Sequence, residues 1–253
     1  MNPVMIRGVA IGEGIPKICV PIVGKTREEI IKAAEEIRTL PVDVVEWRAD
    51  WYEEVFEADV VLDVLQELRR SLGELPLLFT FRTKKEGGEK EIDKKYYRTL
   101  NQLVAESGLA DLIDVEVFSG DEVVNDLVRT AHENEVKVIG SNHDFEKTPE
   151  KEEIIRRLCR MQELDVDLPK IAVMPRKKED VLTLLAATEE MNRKYADRPI
   201  ITMSMTGDGV ISRLCGEVFG AALTFGAAGQ ASAPGQIGVK ELRQILTILH
   251  ESV

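Results

Sequence analysis

Short β-branched or apolar runs alternate with longer segments of helical spacing along almost the whole chain, and this alternation limits the possible folds more than any other feature. The runs that read as strands cover residues 18–23, 44–48, 77–82, 112–117, 136–142, 170–174, 200–205 and 222–225. Helical spacing fills 26–39, 60–72, 94–107, 121–134, 148–163, 177–195, 210–217 and 239–251. Thr26 followed by Glu29 has the form of a capping box, and Thr148 with Pro149 and Glu152 reads as a second capped start. Eight strands each followed by a helix, in 253 residues, predict a closed (β/α)8 TIM barrel rather than an open doubly wound sheet. No GxGxxG follows the first strand to argue for the open form. Residues 5–11, turning at Gly8, are expected to form a short hairpin over the barrel floor.

No Pro-, Gly- or Ser-rich linker interrupts the alternation, so residues 1–253 are expected to form one catalytic barrel domain. The charge balance is 33 − 45 = −12, which leaves no basic stripe for nucleic acid. Apolar residues at 44% and charged residues at 31% suit a globular core, not a disordered chain. The longest nearly apolar stretch, 218–229, is too short and too rich in glycine to span a bilayer. No basic segment followed by an apolar signal core opens the sequence, and the expectation is a cytoplasmic protein. Cys19, Cys159 and Cys215 are widely spaced and form no metal-ligand pattern, so all three read as buried free thiols.

Side chains of one parity point into such a barrel, and chemistry collects at the carboxyl ends of its strands. On that parity the chain offers Glu46 and Arg48, then Thr80 and Arg82 with Glu86 in the following loop, then Asp114 and Glu116, then Ser141 and His143, then Lys170 and Ala172. An apolar core has no use for so many ionisable groups, because an unpaired buried charge is costly. A polar pocket at the barrel top accounts for the set. Asp114 and Glu116 read instead as structural partners of a cation on a neighbouring strand.

Of the three histidines, His132 and His250 lie on helices and read as surface residues, while His143 ends a strand. An imidazole there suits a group that accepts a proton and returns it, and Glu86 could orient the ring. Lys170 opens an apolar strand. If buried, its amine is a candidate nucleophile for a carbonyl; if it snorkels to the floor, it is a solvated ammonium. Arg213 either holds a substrate carboxylate or pairs along its helix with Glu217. The last loop, 226–238, with Ser232 and Gln236, could bind phosphate or close over a polyhydroxy acid.

Taken together, Glu46-Trp47-Arg48, Phe79 to Arg82 with Lys85-Glu86-Gly87-Gly88, Ser141 to Phe145, Pro169 to Met174, Met203-Ser204-Met205, Ile211-Ser212-Arg213 and the segment 230–236 resemble the type I 3-dehydroquinate dehydratases. The likeness runs in order from about Ile11 to the C-terminus. It implies a TIM barrel, usually dimeric, that needs no metal or organic cofactor and dehydrates 3-dehydroquinate to 3-dehydroshikimate in the shikimate pathway of aromatic amino-acid synthesis. It further implies that Lys170 forms an imine with the substrate ketone, that His143 is the general acid and base, and that Glu86 supports it. Arg213, Ser232 and Gln236 would hold the substrate carboxylate side. Glu46, Arg48 and Arg82 would meet the ring hydroxyls and the imine, between walls of Met203, Met205 and Phe225.

Three other readings are consistent with parts of this pattern. A Schiff-base aldolase or transaldolase would use the same lysine to break a carbon–carbon bond. A metal-dependent barrel would ligate through Glu46, Glu116, His143 and Asp144. A binding protein would keep the pocket without turnover.

Overall fold

The computed structural model describes residues 2–229 and 235–252. It begins with an antiparallel hairpin, β1 (Val4–Ile6) and β2 (Val9–Ile11), in which Met5 faces Ala10 across the turn at Gly8. The barrel strands are β3 (Lys17–Ile22), β4 (Val44–Arg48), β5 (Leu77–Thr80), β6 (Leu112–Glu116), β7 (Lys137–Asp144), β8 (Leu168–Val173), β9 (Ile201–Ser204) and β10 (Leu223–Ala227). They lie side by side in chain order and all parallel, with β10 paired back onto β3. Closure between β9 and β10 comes from the parallel bridge of Ile200 with Ala221, where Ala222 N–H donates to Ile200 O at 2.9 Å. A two-residue strand, β11 (Ile237–Gly238), extends β10 and leads into the final helix.

The connecting helices are α1 (Arg27–Ile37), α2 (Ala58–Leu72), α3 (Lys94–Glu106), α4 (Asp121–Glu133), α5 (Lys151–Glu163), α6 (Lys178–Lys194), α7 (Val210–Leu214), α8 (Gly216–Phe219) and α9 (Val239–His250). The capping box at Thr26 forms as expected: its side chain accepts from Glu29 N–H, and the Glu29 carboxylate accepts from Thr26 N–H. The second expected start does not. Helix α5 begins three residues later, and the Thr148 hydroxyl donates to Met174 O instead, tying the loop to the neighbouring strand. The stretch 210–217 is also not one helix but two short ones, α7 and α8, which meet at Cys215.

The helices and the outer faces of the strands enclose an apolar shell. In it Trp47 packs edge-on against Phe79 with ring centroids 5.6 Å apart. Inside the barrel a separate layer is formed by Cys19, Val44, Leu78, Leu112, Ile139, Leu168, Ile201 and Leu223, one from each strand. Ile6 and Ile11 of the hairpin join this layer, so the hairpin seals the floor as its position in the chain suggested.

A further device at the floor repeats three times. Asp43, Asp111 and Asp167 each precede a strand. The backbone N–H of each donates to a carbonyl of the preceding strand, at Ile18, Leu77 and Val138 respectively. The carboxylate of each then accepts the N–H of that same residue, at 2.7, 2.8 and 2.8 Å. These are strand-end donors that would otherwise face solvent or go unpaired. Apolar-Asp-apolar occurs at 42–44, 110–112 and 166–168 but also at 58–60, 62–64, 113–115 and 164–166, so only register singles these three out.

Of the three cysteines, all free, Cys19 is buried inside the barrel, whereas Cys159 and Cys215 are only half-buried, contrary to expectation. No helix among the described residues is long and apolar enough to cross a membrane.

Candidate active site

Two residues above the floor layer, the same strands present Glu46, Thr80, Asp114, Ser141, Lys170, Met203 and Phe225, and above these stand Arg48, Glu116, His143 and Ala172. Arg82 lies just beyond β5, which ends at Thr80 rather than running on to Arg82. Inward parity thus brings these residues to the upper end of the barrel. Glu46, Arg48, Arg82, Glu86, His143, Lys170, Met203, Met205, Arg213, Phe225 and Gln236 line one pocket, together with Gly87, Phe145 and Ala172. Ser232 falls outside the described residues.

Lys170 is the third residue of β8 and not its first, because the strand starts at Leu168. That shift of two residues decides between its two readings. The side chain rises into the barrel instead of snorkelling to the floor, and the residue is 3% exposed. Its Nζ sits 3.2 Å from Asp114 Oδ2 and 4.4 Å from the centre of the Phe225 ring. Ala172, one step up on the same face, borders the pocket and leaves room above the amine.

His143 and Glu86 meet as expected. Glu86 ends a 3-10 turn, Lys84–Glu86, which is closed by Gly87 at φ 86°. A side chain at Gly87 would strike the Phe145 ring, 2.3 Å from its Cβ position, so glycine here lets Phe145 cover the turn. Glu86 Oε2 accepts the backbone N–H of His143 at 2.9 Å and lies 3.0 Å from its Nδ1. A carboxylate placed this way holds the proton on Nδ1 and leaves the Nε2 lone pair free. Burial, reinforced by the charges of Arg82, Lys170 and Arg48, holds the imidazole pKa well below its usual value. Burial and the nearby Glu116 push the Glu86 carboxyl up to about 8, against the pull of Arg82.

The cations are held by buried carboxylates. Arg48 makes a forked contact with Asp50, Nε to Oδ1 at 2.7 Å and Nη2 to Oδ2 at 2.8 Å. Burial opposes its charge, but that contact outweighs burial and keeps its pKa raised. Arg82 reaches Asp114 at 2.8 Å and Glu116 at 2.9 Å, and it donates to Ser141 Oγ at 3.0 Å. Asp114 and Glu116 are therefore partners of a neighbouring cation, as read from sequence, but Asp114 also touches Lys170. Glu46 accepts the Thr80 hydroxyl at 2.8 Å. Arg213 does not pair with Glu217. It is 1% exposed and lines the pocket with an Nη1 contact to Met203 Sδ, while Glu217 pairs with His250. Burial pushes its guanidinium down to about 10.

Asp50 and Phe145 have no place in the sequence-derived set and Ser141 enters it by parity alone, yet each braces a pocket residue or its loop. Ser141 shares the inward parity, which was a usable signal. Asp50 sits in a turn after β4, where parity has no meaning. The ligand set of the metal-dependent reading is not assembled: Glu116 accepts from Thr83 and Arg82, and Asp144 pairs with Arg157. Among the described residues no three His, Cys, Asp or Glu side chains gather as a metal site. His132 and His250 lie at the surface, facing Asp167 and Glu217.

An amine buried in a pocket, beside a base with a free lone pair and several fixed cations, can bind an anionic carbonyl compound and move protons on it. The chain is similar to known proteins along its whole length. The family described as type I 3-dehydroquinase matches residues 18–253. A 3-dehydroquinate dehydratase of Clostridioides difficile (strain 630) is 61% identical over 250 residues, covering 99% of this chain and 98% of the relative. That of Bacillus licheniformis is 59% identical with the same coverage. Among solved structures, a type I 3-dehydroquinate dehydratase from Clostridium difficile with covalently modified comenic acid superposes with a TM-score of 0.98. It is 60% identical and covers 100% of both chains. The 3-dehydroquinate dehydratase from Enterococcus faecalis gives 0.92 at 45% identity, covering 97% of this chain and 99% of that one.

Proposed function

Because the chain belongs to the type I 3-dehydroquinase family, we propose that it dehydrates 3-dehydroquinate to 3-dehydroshikimate, a shikimate-pathway step, through an imine on Lys170. The observation that carries this reading is the Lys170 amine at 3% exposure inside a pocket that also holds the Glu86–His143 pair.

The Lys170 nitrogen adds to the C3 ketone, the ketone oxygen leaves as water with two of the ammonium protons, and the third stays on nitrogen as a protonated imine. That nitrogen draws electrons from C2, so His143 Nε2 can take the C2 proton without a metal. The resulting imidazolium returns its proton to the departing C1 hydroxyl, and hydrolysis of the imine frees the enzyme. Arg213 and Gln236, with Ser232, hold the substrate carboxylate. Glu46, Arg48 and Arg82 meet the ring hydroxyls, and Met203, Met205 and Phe225 form the apolar walls. These cations supply local positive charge in a chain whose net charge of −12 would otherwise repel an anion.

The reading extends to one catalytic domain over 1–253 and a cytoplasmic homodimer, which light scattering and cell fractionation check. Borohydride reduction in the presence of 3-dehydroquinate, followed by peptide mapping, tests the chemistry: the added mass falls on Lys170, and a mass on any other residue ends the imine mechanism. His143→Ala keeps that adduct while turnover drops about 10²- to 10⁴-fold. A variant with unaltered turnover removes the histidine from its role.

A further inference from the structure

Asp114 is a carboxylate that the steps above leave idle. It lies on β6 with 0% exposure, and among the described residues it carries the one carboxylate within ion-pair distance of Lys170 Nζ. Two further contacts fix it: Arg82 Nη2 lies 2.8 Å from Oδ2, and the Ser141 hydroxyl donates to Oδ1 at 2.6 Å. Ser141 also accepts from Arg82 Nη1, so all three side chains are locked together.

We propose that Asp114 is a catalytic residue, the fixed counter-ion of Lys170 Nζ, first for the ammonium and then for the protonated imine. This rests on the imine reading of Lys170. The charge balance of the step supports it. An ammonium and a ketone give a protonated imine and water: a C–N double bond replaces C=O, and the oxygen leaves with two of the ammonium protons. The nitrogen carries one positive charge before and after, so a carboxylate already aimed at it serves both states without reorganisation. When C2 loses its proton to His143, the electron pair flows to the nitrogen and the positive charge moves to the imidazole. It returns to the nitrogen when the hydroxyl leaves with that proton.

A counter-ion must not become a base, and the contacts of Asp114 prevent this. Burial alone would raise its pKa, but Arg82 and Lys170, with the Ser141 hydrogen bond, outweigh burial and hold it below the usual carboxylate value. The imine therefore keeps its proton, and with it the capacity to draw electrons from C2. The other titratable groups around Nζ are Cys19 on β3, Glu46 and Arg48 on β4, and Arg82 and Glu86 after β5. Glu116 on β6, His143 on β7 and Arg213 on α7 complete the ring. None of these carboxylates reaches Nζ, so none takes over when Asp114 is neutralised.

Cyanoborohydride labelling and Raman spectroscopy of the complex with 3-dehydroquinate test this. In the native protein the label maps to Lys170, and the C=N stretch shifts in D2O up to about pH 9. In Asp114→Asn the D2O shift disappears at a pH about two units lower, a roughly 100-fold loss of proton affinity, and labelling falls over the same range. Asp114→Glu restores both. A label outside Lys170 overturns the imine reading itself. A label on Lys170 with an unchanged pH range in Asp114→Asn overturns the counter-ion alone. Should Asp114→Asn fail to fold, the native protein still decides: a C=N stretch insensitive to D2O at about pH 8 overturns the proposal.

Discussion

The two ends of the barrel interior are built from the same strands and the same side-chain parity, about 7 Å apart, yet they have opposite characters. At the floor, Val44, Leu78, Leu112, Ile139 and Leu168 meet Ile6 and Ile11 of the hairpin in a wholly apolar layer. Two residues further along, Glu46, Thr80, Asp114, Ser141 and Lys170 take their places. The floor gains from removing hydrocarbon from water. The top holds desolvated charges, and much of their mutual attraction goes to offsetting the cost of burying them. Stability is thus concentrated at one end and reactivity at the other, and substitutions at the two ends should separate these properties.

The largest separation is expected from Lys170→Met. Turnover falls at least about 10⁴-fold, whereas the melting temperature holds or rises, since Met fits beside Phe225 and Asp114 keeps Arg82. Steady-state assay and calorimetry read the two effects, and a marked loss of stability would mean the top also holds the fold together. Leu168→Ala, two residues earlier on the same strand, reverses the pattern. It costs about 2–5 kcal/mol in urea unfolding, with kcat of the folded protein unchanged. Asp111→Ala leaves the Leu77 N–H without its acceptor and frees Arg69 and Arg7 at the hairpin edge, at a cost of about 1–3 kcal/mol with kcat again unchanged.

The smallest effect concerns the shape of the pH profile. With the Glu86 carboxyl pushed up to about 8 and the imidazole pushed down, the pair keeps a proton at neutral pH. Above about 8, Glu86 is a carboxylate accepting Nδ1–H, and Nε2 is free to act as base. Where C2 proton removal limits the rate, kcat therefore climbs with rising pH until that proton is lost. Glu86→Gln lacks the titrating group, so the climb flattens, with kcat changed by less than about tenfold. A climb that persists in Glu86→Gln assigns it to another group.

Strand order, inward parity and the polar character of the barrel top were legible in the sequence, because the period-2 pattern of a strand fixes which residues share a face. The motifs identified the family and most pocket residues. The role of Asp114 was only half legible: spacing showed an inward acid with some cation, but not that Lys170 Nζ shares its Oδ2 with Arg82. The Asp43, Asp111 and Asp167 clamps were not legible, because no local rule says which backbone groups an aspartate between apolar residues meets.

The chain by itself determined the eight-fold alternation, the parity and the list of ionisable residues, since these depend on local periodicity. Three-dimensional closure decided that Lys170 points up and not down, that Arg213 belongs to the pocket and leaves Glu217 to His250, and which acid faces which cation. Those outcomes turn on distances between strands far apart in sequence, and Coulombic and hydrogen-bond energies at 3 Å have no counterpart in local spacing.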